Sequence, residues 1–352
     1  MSVEIALLLI TLAGLTAYAL LGGADFGAGV WDLSPARGPE ERELRYHAIG
    51  PVWETNHVWL IFVLVLLWTA FPPAFAALCR GLWVPLLVAL AGIVIRGSAY
   101  AFRASGAGGA PHRIWEVAFA AASTLAPFAL GAAAGAVAAG TLDVTPSGGF
   151  RGDYLTGWIS PTAIFSGLFA VGISGHLAAV YLTREAQLEG ADDLVELWRA
   201  RGMRTGAVLG VLAVVGLVVV AVDAPELWAG FGRRGWPLVA LSIVGGLGSL
   251  WALYARRYTL AALGAGTAVA TVILGWGAAQ YPFLVPPTID VAAAKAPDGA
   301  LWFLLGSIGA GAVLLVPSLA YLFYLFKGGA AGHLRQQEPP HAPPHWIEDS
   351  KA

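Results

Sequence analysis

The sequence predicts an all-α integral membrane protein of nine transmembrane helices, and three observations carry that expectation. Apolar residues make up 58% of the chain and charged residues only 12%, with mean hydropathy +0.71. Soluble proteins carry about a quarter charged residues. Apolar windows of about 20 residues, enough to cross about 30 Å of hydrocarbon, recur along the whole length. Nearly every window is apolar around its full circumference and interrupted by Gly and Ala, as in helices packed closely in lipid.

The expected spans are 4–22, 53–71, 82–102, 115–139, 159–182, 205–222, 236–254, 259–278 and 300–326. The first begins at Val3 without a basic leader or a clear small-residue cleavage site, so it reads as a retained helix. Its exit runs Gly23-Ala24-Asp25-Phe26-Gly27-Ala28-Gly29, where the glycines suit a tight turn and Asp25 could cap it or bridge to Arg96. Residues 39–49 read as an amphipathic surface turn leading into the second span. That span opens Gly50-Pro51-Val52-Trp53-Glu54-Thr55-Asn56-His57-Val58-Trp59-Leu60 and continues apolar through Trp68 and Phe71. The runs Gly131 to Gly140 and Gly245 to Gly248 suit tight crossings. Residues 184–204 alternate acids and bases and suggest a second short interfacial helix. The stretch Tyr281 to Asp290 is rich in proline and apolar residues, predicting a loop lying against the membrane surface or a partner. Residues 1–326 thus form one transmembrane domain, and the proline-rich tail 327–352 reads as disordered.

Orientation follows from Lys and Arg, which cytoplasmic connections collect. Most of the 20 fall on one side; Arg80, Arg151, Arg233, Arg234 and Lys295 fall on the other. This places the N-terminus outside and the C-terminus in the cytoplasm. Asp25, Glu54 and Arg96 then share the cytoplasmic face, with His57 and His176 in the cytoplasmic third of the bilayer.

Composition also excludes. A net charge of -2 without any basic stripe gives no nucleic-acid surface. The single cysteine, Cys79, cannot form an intrachain disulfide, and no CxxC or CxxCH is present to hold zinc, an iron–sulfur cluster or c-type haem.

Charge inside a membrane segment is expensive and marks function. At about 100° per residue Glu54 and His57 lie within one helical quadrant, with Trp53 beside them and Asn56 just beyond. Glu54 could hand on protons, or could simply gain about 0.3–1 kcal/mol from the helix dipole. Asp25 could be a structural ion pair or a proton or quinone-headgroup residue. Arg96, always charged, needs a carboxylate partner or must snorkel to the interface. His57 and His176 at like depth raise bis-histidine haem ligation against the plainer reading of satisfied interhelical histidines. Tryptophans 31, 53, 59, 68, 115 and 158 near span ends read as an aromatic belt.

The glycine–Asp25 stretch paired with the Trp53-Glu54-Thr55-Asn56-His57 stretch closely resembles subunit II of the cytochrome bd-type quinol oxidases. Three later stretches do so too: Arg96-Gly97-Ser98-Ala99-Tyr100-Ala101-Phe102-Arg103, His176 to Arg184, and Tyr281 to Asp290. The chain departs from the family at Ala101, where an acid is common, at Gly22 or Gly23, where many members have a polar residue, and at Glu54, commonly Asp. The resemblance implies two four-helix bundles plus one peripheral helix in a bacterial cytoplasmic membrane. It implies a complex that oxidises quinol and reduces oxygen to water. Haems b and d would sit in a larger subunit I, and this chain would be haem-free and bind no metal. A small single-helix subunit and a structural quinone occur in the family's pattern. The implied roles are proton delivery for Glu54, Asp25 and His57, and structural or quinone-headgroup contacts for Arg96, Trp53, Asn56 and Arg103. Two rivals stand beside this: a haem- or quinone-binding anchor of another respiratory enzyme, and a secondary transporter, which would need a polar midplane site.

Overall fold

The computed structural model describes residues 2–34, 36–49, 53–104 and 110–327; the side chains of 46–49, 53–55, 103–104, 110–112, 316, 319–320 and 322–327 lie outside the described set. Of the expected tail 327–352, Lys327 ends a helix and 328–352 lie outside the described residues. The chain runs α1 (Val3–Trp31), α2 (Pro39–Ile49), α3 (Trp53–Ala70), α4 (Pro72–Gly81), α5 (Trp83–Ala104), α6 (Ala110–Ala139), α7 (Pro161–Glu189) and α8 (Asp192–Asp223). It continues with α9 (Pro225–Gly230), a π-helical turn (Phe231–Gly235), α10 (Trp236–Tyr254), α11 (Tyr258–Gln280), a small hairpin of β1 (Phe283–Val285) and β2 (Ile289–Asp290), α12 (Val291–Ala294) and α13 (Asp298–Lys327).

All nine expected spans fall on helices. Among the described residues, eight helical stretches are long and apolar enough to cross a membrane, α9, the π turn and α10 counting as one, Pro225–Tyr254. The apolar part of α3, Asn56–Ala70, is shorter. Helix α1 packs on α3, α6 and α7, α5 on α6, α6 on α7, α7 on α8, and α10 on α11.

Four expectations need correction. The glycine stretch around Asp25 is not a turn, because α1 continues as helix to Trp31. The glycines serve close approach: a Cβ on Gly27 would lie 1.8 Å from the Ser174 carbonyl oxygen of α7, and one on Gly29 would lie 2.1 Å from Ser123 Oγ of α6. Residues 184–204 form no separate interfacial helix. They end α7 and begin α8 around Gly190, whose φ of +72° suits a residue without Cβ. The stretch 281–290 lies only partly on a surface: Tyr281, Pro282 and Pro287 are exposed, but Val285 and Ile289 are fully buried in the same apolar cluster as Leu7, Leu66 and Phe71. Residues 39–49 form the expected helix, but Glu41 and Arg45 on it are buried.

The glycine crossings expected in α6 and α10 are present. Gly131 and Gly135 abut Ser166 of α7, and Gly245 abuts Gly264 and Ala268 of α11, whereas Gly246 and Gly248 face open space. Gly27→Ala is therefore expected to cost about 1–3 kcal/mol through overpacking, lowering the thermal unfolding midpoint in detergent. Gly246→Ala, with nothing within 4 Å, should leave that midpoint unchanged.

Candidate functional site

Helix α1 presents Tyr18, Gly22, Asp25 and Gly29 on one buried face, spaced by three and four residues as a single helical stripe requires. Helix α3 brings Asn56 and His57 to this stripe, and α5 brings Arg96. The Asn56 amide donates to Asp25 Oδ2. Arg96 Nη2 donates to the Asp25 backbone carbonyl at 3.1 Å. The expected bridge between Arg96 and the Asp25 carboxylate is thus replaced by a bond to the backbone, and the carboxylate is held by Asn56.

Arg96 does not snorkel. It is 1% exposed, and its guanidinium lies over the rings of Phe26 at 5.1 Å and Phe119 at 5.2 Å. Burial of so large a cation is tolerated where carbonyl and ring electrons surround it. His57 packs between Tyr18, with ring centroids 6.0 Å apart, and Phe26, at 5.8 Å. Tyr18 is 5% exposed and its hydroxyl has no partner among the described residues. Gly22 leaves the space that the Tyr18 ring occupies, since a Cβ there would lie 3.0 Å from it. The side chains of Trp53, Glu54 and Arg103 lie outside the described residues. Backbone alone places Trp53 and Glu54 in the first turn of α3 and Arg103 in the last turn of α5.

A second polar cluster ties the C-terminal end of α1 to α2 and α8. Glu41 is 1% exposed and accepts from Arg45, from Arg201 Nη1 at 2.5 Å and from the Arg37 amide at 2.8 Å. Arg45 also donates to Asp32 Oδ1 at 3.1 Å and to the Trp31 carbonyl at 2.9 Å. The Arg201 guanidinium lies 4.4 Å from the Trp198 ring and 4.9 Å from the Trp31 ring, and the two indoles meet edge to face. Burial pushes the Glu41 carboxyl up, but the Arg37 amide and the Arg201 and Arg45 guanidiniums outweigh it and hold the group below the usual carboxylate range. Trp31 is therefore no belt residue: its Nε1 donates to the Gly175 carbonyl at 2.8 Å.

His176 joins α7 to α8 through Nδ1 and Thr205 Oγ1, 3.1 Å apart, as an interhelical histidine does. Thr205 donates onward to the Arg201 carbonyl at 3.0 Å. Among the described residues no three His, Cys, Asp or Glu side chains gather as a metal site.

The sequence offered Asp25 with Arg96, and Asn56 and His57 on one facet of α3; the structure brings all four together, and adds Tyr18, Glu41, Arg45 and Arg201, which the sequence reading did not single out. Tyr18 was readable in principle, lying seven residues before Asp25, had α1 been drawn through to Trp31. Glu41 and Arg201 are 160 residues apart and carry no local signal of pairing.

Residues 3–326 match the model of the family described as cytochrome bd terminal oxidase subunit II. The chain is 31% identical over 115 residues to cytochrome bd ubiquinol oxidase subunit 2 of Bacillus subtilis, covering 32% of this chain and 33% of that protein. It is 26% identical over 225 residues to cytochrome bd-I ubiquinol oxidase subunit 2 of Escherichia coli K12, covering 63% of this chain and 56% of that protein. The aligned part thus spans a third to about half of these relatives. The fold is similar to a chain of the bd oxidase of Geobacillus thermodenitrificans, with TM-score 0.72, 23% identity, and coverage of 93% of this chain and 99% of that one. With the family model matching nearly the whole described chain, this protein belongs to the cytochrome bd terminal oxidase subunit II family.

Proposed function

We propose that this chain is the haem-free membrane subunit of a bd-type quinol oxidase in a bacterial cytoplasmic membrane, and that it delivers protons to oxygen reduction in a haem-bearing subunit I. The observation that supports this most is the Asp25 carboxylate, 7% exposed inside an apolar bundle and bonded to Asn56 beside the fixed charge of Arg96. Oxygen reduction consumes protons, and a dry interior needs titratable side chains to pass them.

In this reading Asp25 is the proton-carrying group. The Asn56 amide holds Oδ2, which leaves Oδ1 to take and release the proton. Arg96 is a positioning residue that pins the α1 backbone at Asp25 while its charge balances that of the carboxylate. Glu54, in the first turn of α3, supplies the entry from the cytoplasmic side, with the N-terminus outside and the C-terminus within. His57 lines the path between the two acids. A quinone headgroup does not fit at Arg96: Phe26, Phe119 and the Asp25 carbonyl enclose its guanidinium.

Glu54→Gln in the assembled complex is expected to slow quinol-dependent oxygen consumption by about 10-fold or more, with the haem spectrum unchanged. Unaltered turnover would remove Glu54 from the path. Copurification through a tag on this chain should bring a haem-bearing membrane protein with it; absence of haem from the purified material would count against the oxidase assignment itself.

A further inference from the structure

The end of the bundle away from α2 carries a feature that proton delivery does not use. Between α9 and α10 the helix widens into the π-helical turn Phe231–Gly235. Turns of this kind are rare and recur at functional sites. In an α-helix Gly230 and Gly235 would point about 140° apart. The wider turn sets both against α11, where a Cβ on Gly230 would lie 2.0 Å from the Ala279 carbonyl oxygen and one on Gly235 3.2 Å from the Gly275 carbonyl oxygen.

This seating leaves Arg233 and Arg234 exposed at the mouth of a cavity of about 70 Å³, which Glu226, Gln280, Tyr281 and Phe283 also line. Arg233 Nε donates to the Ala229 carbonyl at 3.2 Å, which orients the guanidinium along the helix surface. Arg234 lies over the Tyr281 ring at 5.3 Å. Among the described residues neither arginine has an acidic side chain within ion-pairing distance. Gln280 donates to the Phe283 and Leu284 carbonyls, and its Oε1 has no partner among the described residues.

Depth completes the picture. Trp236, two residues after Arg234, is 64% exposed, Tyr281 beneath Arg234 is 37% exposed, and Trp228, five residues before Arg233 on α9, is 46% exposed. Exposed indole and phenol rings on a membrane-spanning helix mark the headgroup level. With the N-terminus outside, as proposed above, two adjacent arginines there also run against the bias that keeps basic residues off the outer side, so they need a reason to be present. Guanidinium forks match the oxygens of a phosphodiester, and the flanking aromatic rings match the first carbons of acyl chains.

We propose that the π-helical turn with Arg233, Arg234 and Tyr281 is a binding site for the phosphodiester headgroup of a membrane glycerophospholipid. The site accounts for the widened turn and for two adjacent cations that form no ion pair among the described residues. It is independent of the proton-delivery reading.

The test is thermal unfolding of the purified membrane complex in a phosphate-free maltoside detergent, with three additions: phosphatidylglycerol, diacylglycerol of the same chain length, and inorganic phosphate. Phosphatidylglycerol should raise the midpoint by several degrees, whereas diacylglycerol and inorganic phosphate should not. Arg233→Gln with Arg234→Gln should abolish the rise while keeping the midpoint without lipid. Arg234→Lys, which retains charge but loses the fork and the planar stacking, should shrink the rise and serves where the double variant fails to fold. An equal rise in the variants, or one with diacylglycerol, would overturn the proposal. An equal rise with inorganic phosphate would assign the site to free phosphate and overturn the lipid.

Discussion

Asp25→Asn is expected to cut quinol-dependent oxygen consumption by about 100-fold, the scale of a lost acid–base group, while the haem content of the purified complex stays intact. The substitution keeps size and keeps an oxygen for the Asn56 amide, so α1 and α3 should still dock through the bond at Oδ2. Arg96 should stay in place, because its donor bond goes to the Asp25 backbone carbonyl and not to the carboxylate. What asparagine lacks is a group that takes and gives a proton. Assayed beside Asn56→Ala, which leaves the acid and removes only its orienting partner, the series separates the two roles. Asn56→Ala should lose less activity than Asp25→Asn. Equal activity in wild type and Asp25→Asn would reduce Asp25 to a structural residue.

Glu41→Ala is expected to destabilise the chain by about 3–5 kcal/mol, the scale for breaking a buried ion pair by removing one partner. That is a large part of a usual stability of about 5–15 kcal/mol. Arg45 and Arg201, both beside the Trp198 ring, would then face each other with no shared carboxylate between them. Arg45 would keep Asp32 as partner and Arg201 would keep its two indoles, which moderates the loss. The sign of the pH dependence follows from the depressed carboxyl. Its contribution is fully present above the unfolded value of about 4.3 and disappears as pH falls through the lower folded value. Unfolding midpoints of wild type should therefore drop below about pH 4, and those of Glu41→Ala should drop less over the same range. Parallel pH curves would show that Glu41 is not the linked group.

The fold was legible where its cause is local. Hydropathy windows find the lipid-spanning helices because a bilayer demands about 20 apolar residues in a row, and α3 starts at Trp53 as its sequence suggests. The same rule misplaced the end of α1. Asp25 and four nearby glycines lower the window average, yet an acid partnered by Asn56 and glycines pressed against α6 and α7 are compatible with a continuous helix. Glycine suits both turns and close crossings, and only the neighbouring helix decides between them.

Arg96 was misread for a related reason. One arginine in an apolar segment reads as a residue reaching for the interface. Whether carbonyl and rings will enclose it depends on Phe26 of α1 and Phe119 of α6, far away in sequence. Tertiary partnership also hid the α2 clamp: charge spacing showed an amphipathic helix but not that Arg201 of α8 reaches Glu41. The loop after Tyr281 looked suited to a surface because proline and apolar residues alternate there, and only the fold shows Val285 and Ile289 closing the core against Leu7 and Phe71.

Time-resolved proton uptake by the oxidase in sealed vesicles, started with oxygen on the fully reduced complex, tests the proton role of this subunit most directly. In Asp25→Asn, electron transfer between the haems should begin normally while proton uptake from the side facing Glu54 slows by about 100-fold. Uptake at the wild-type rate in that variant would contradict the account.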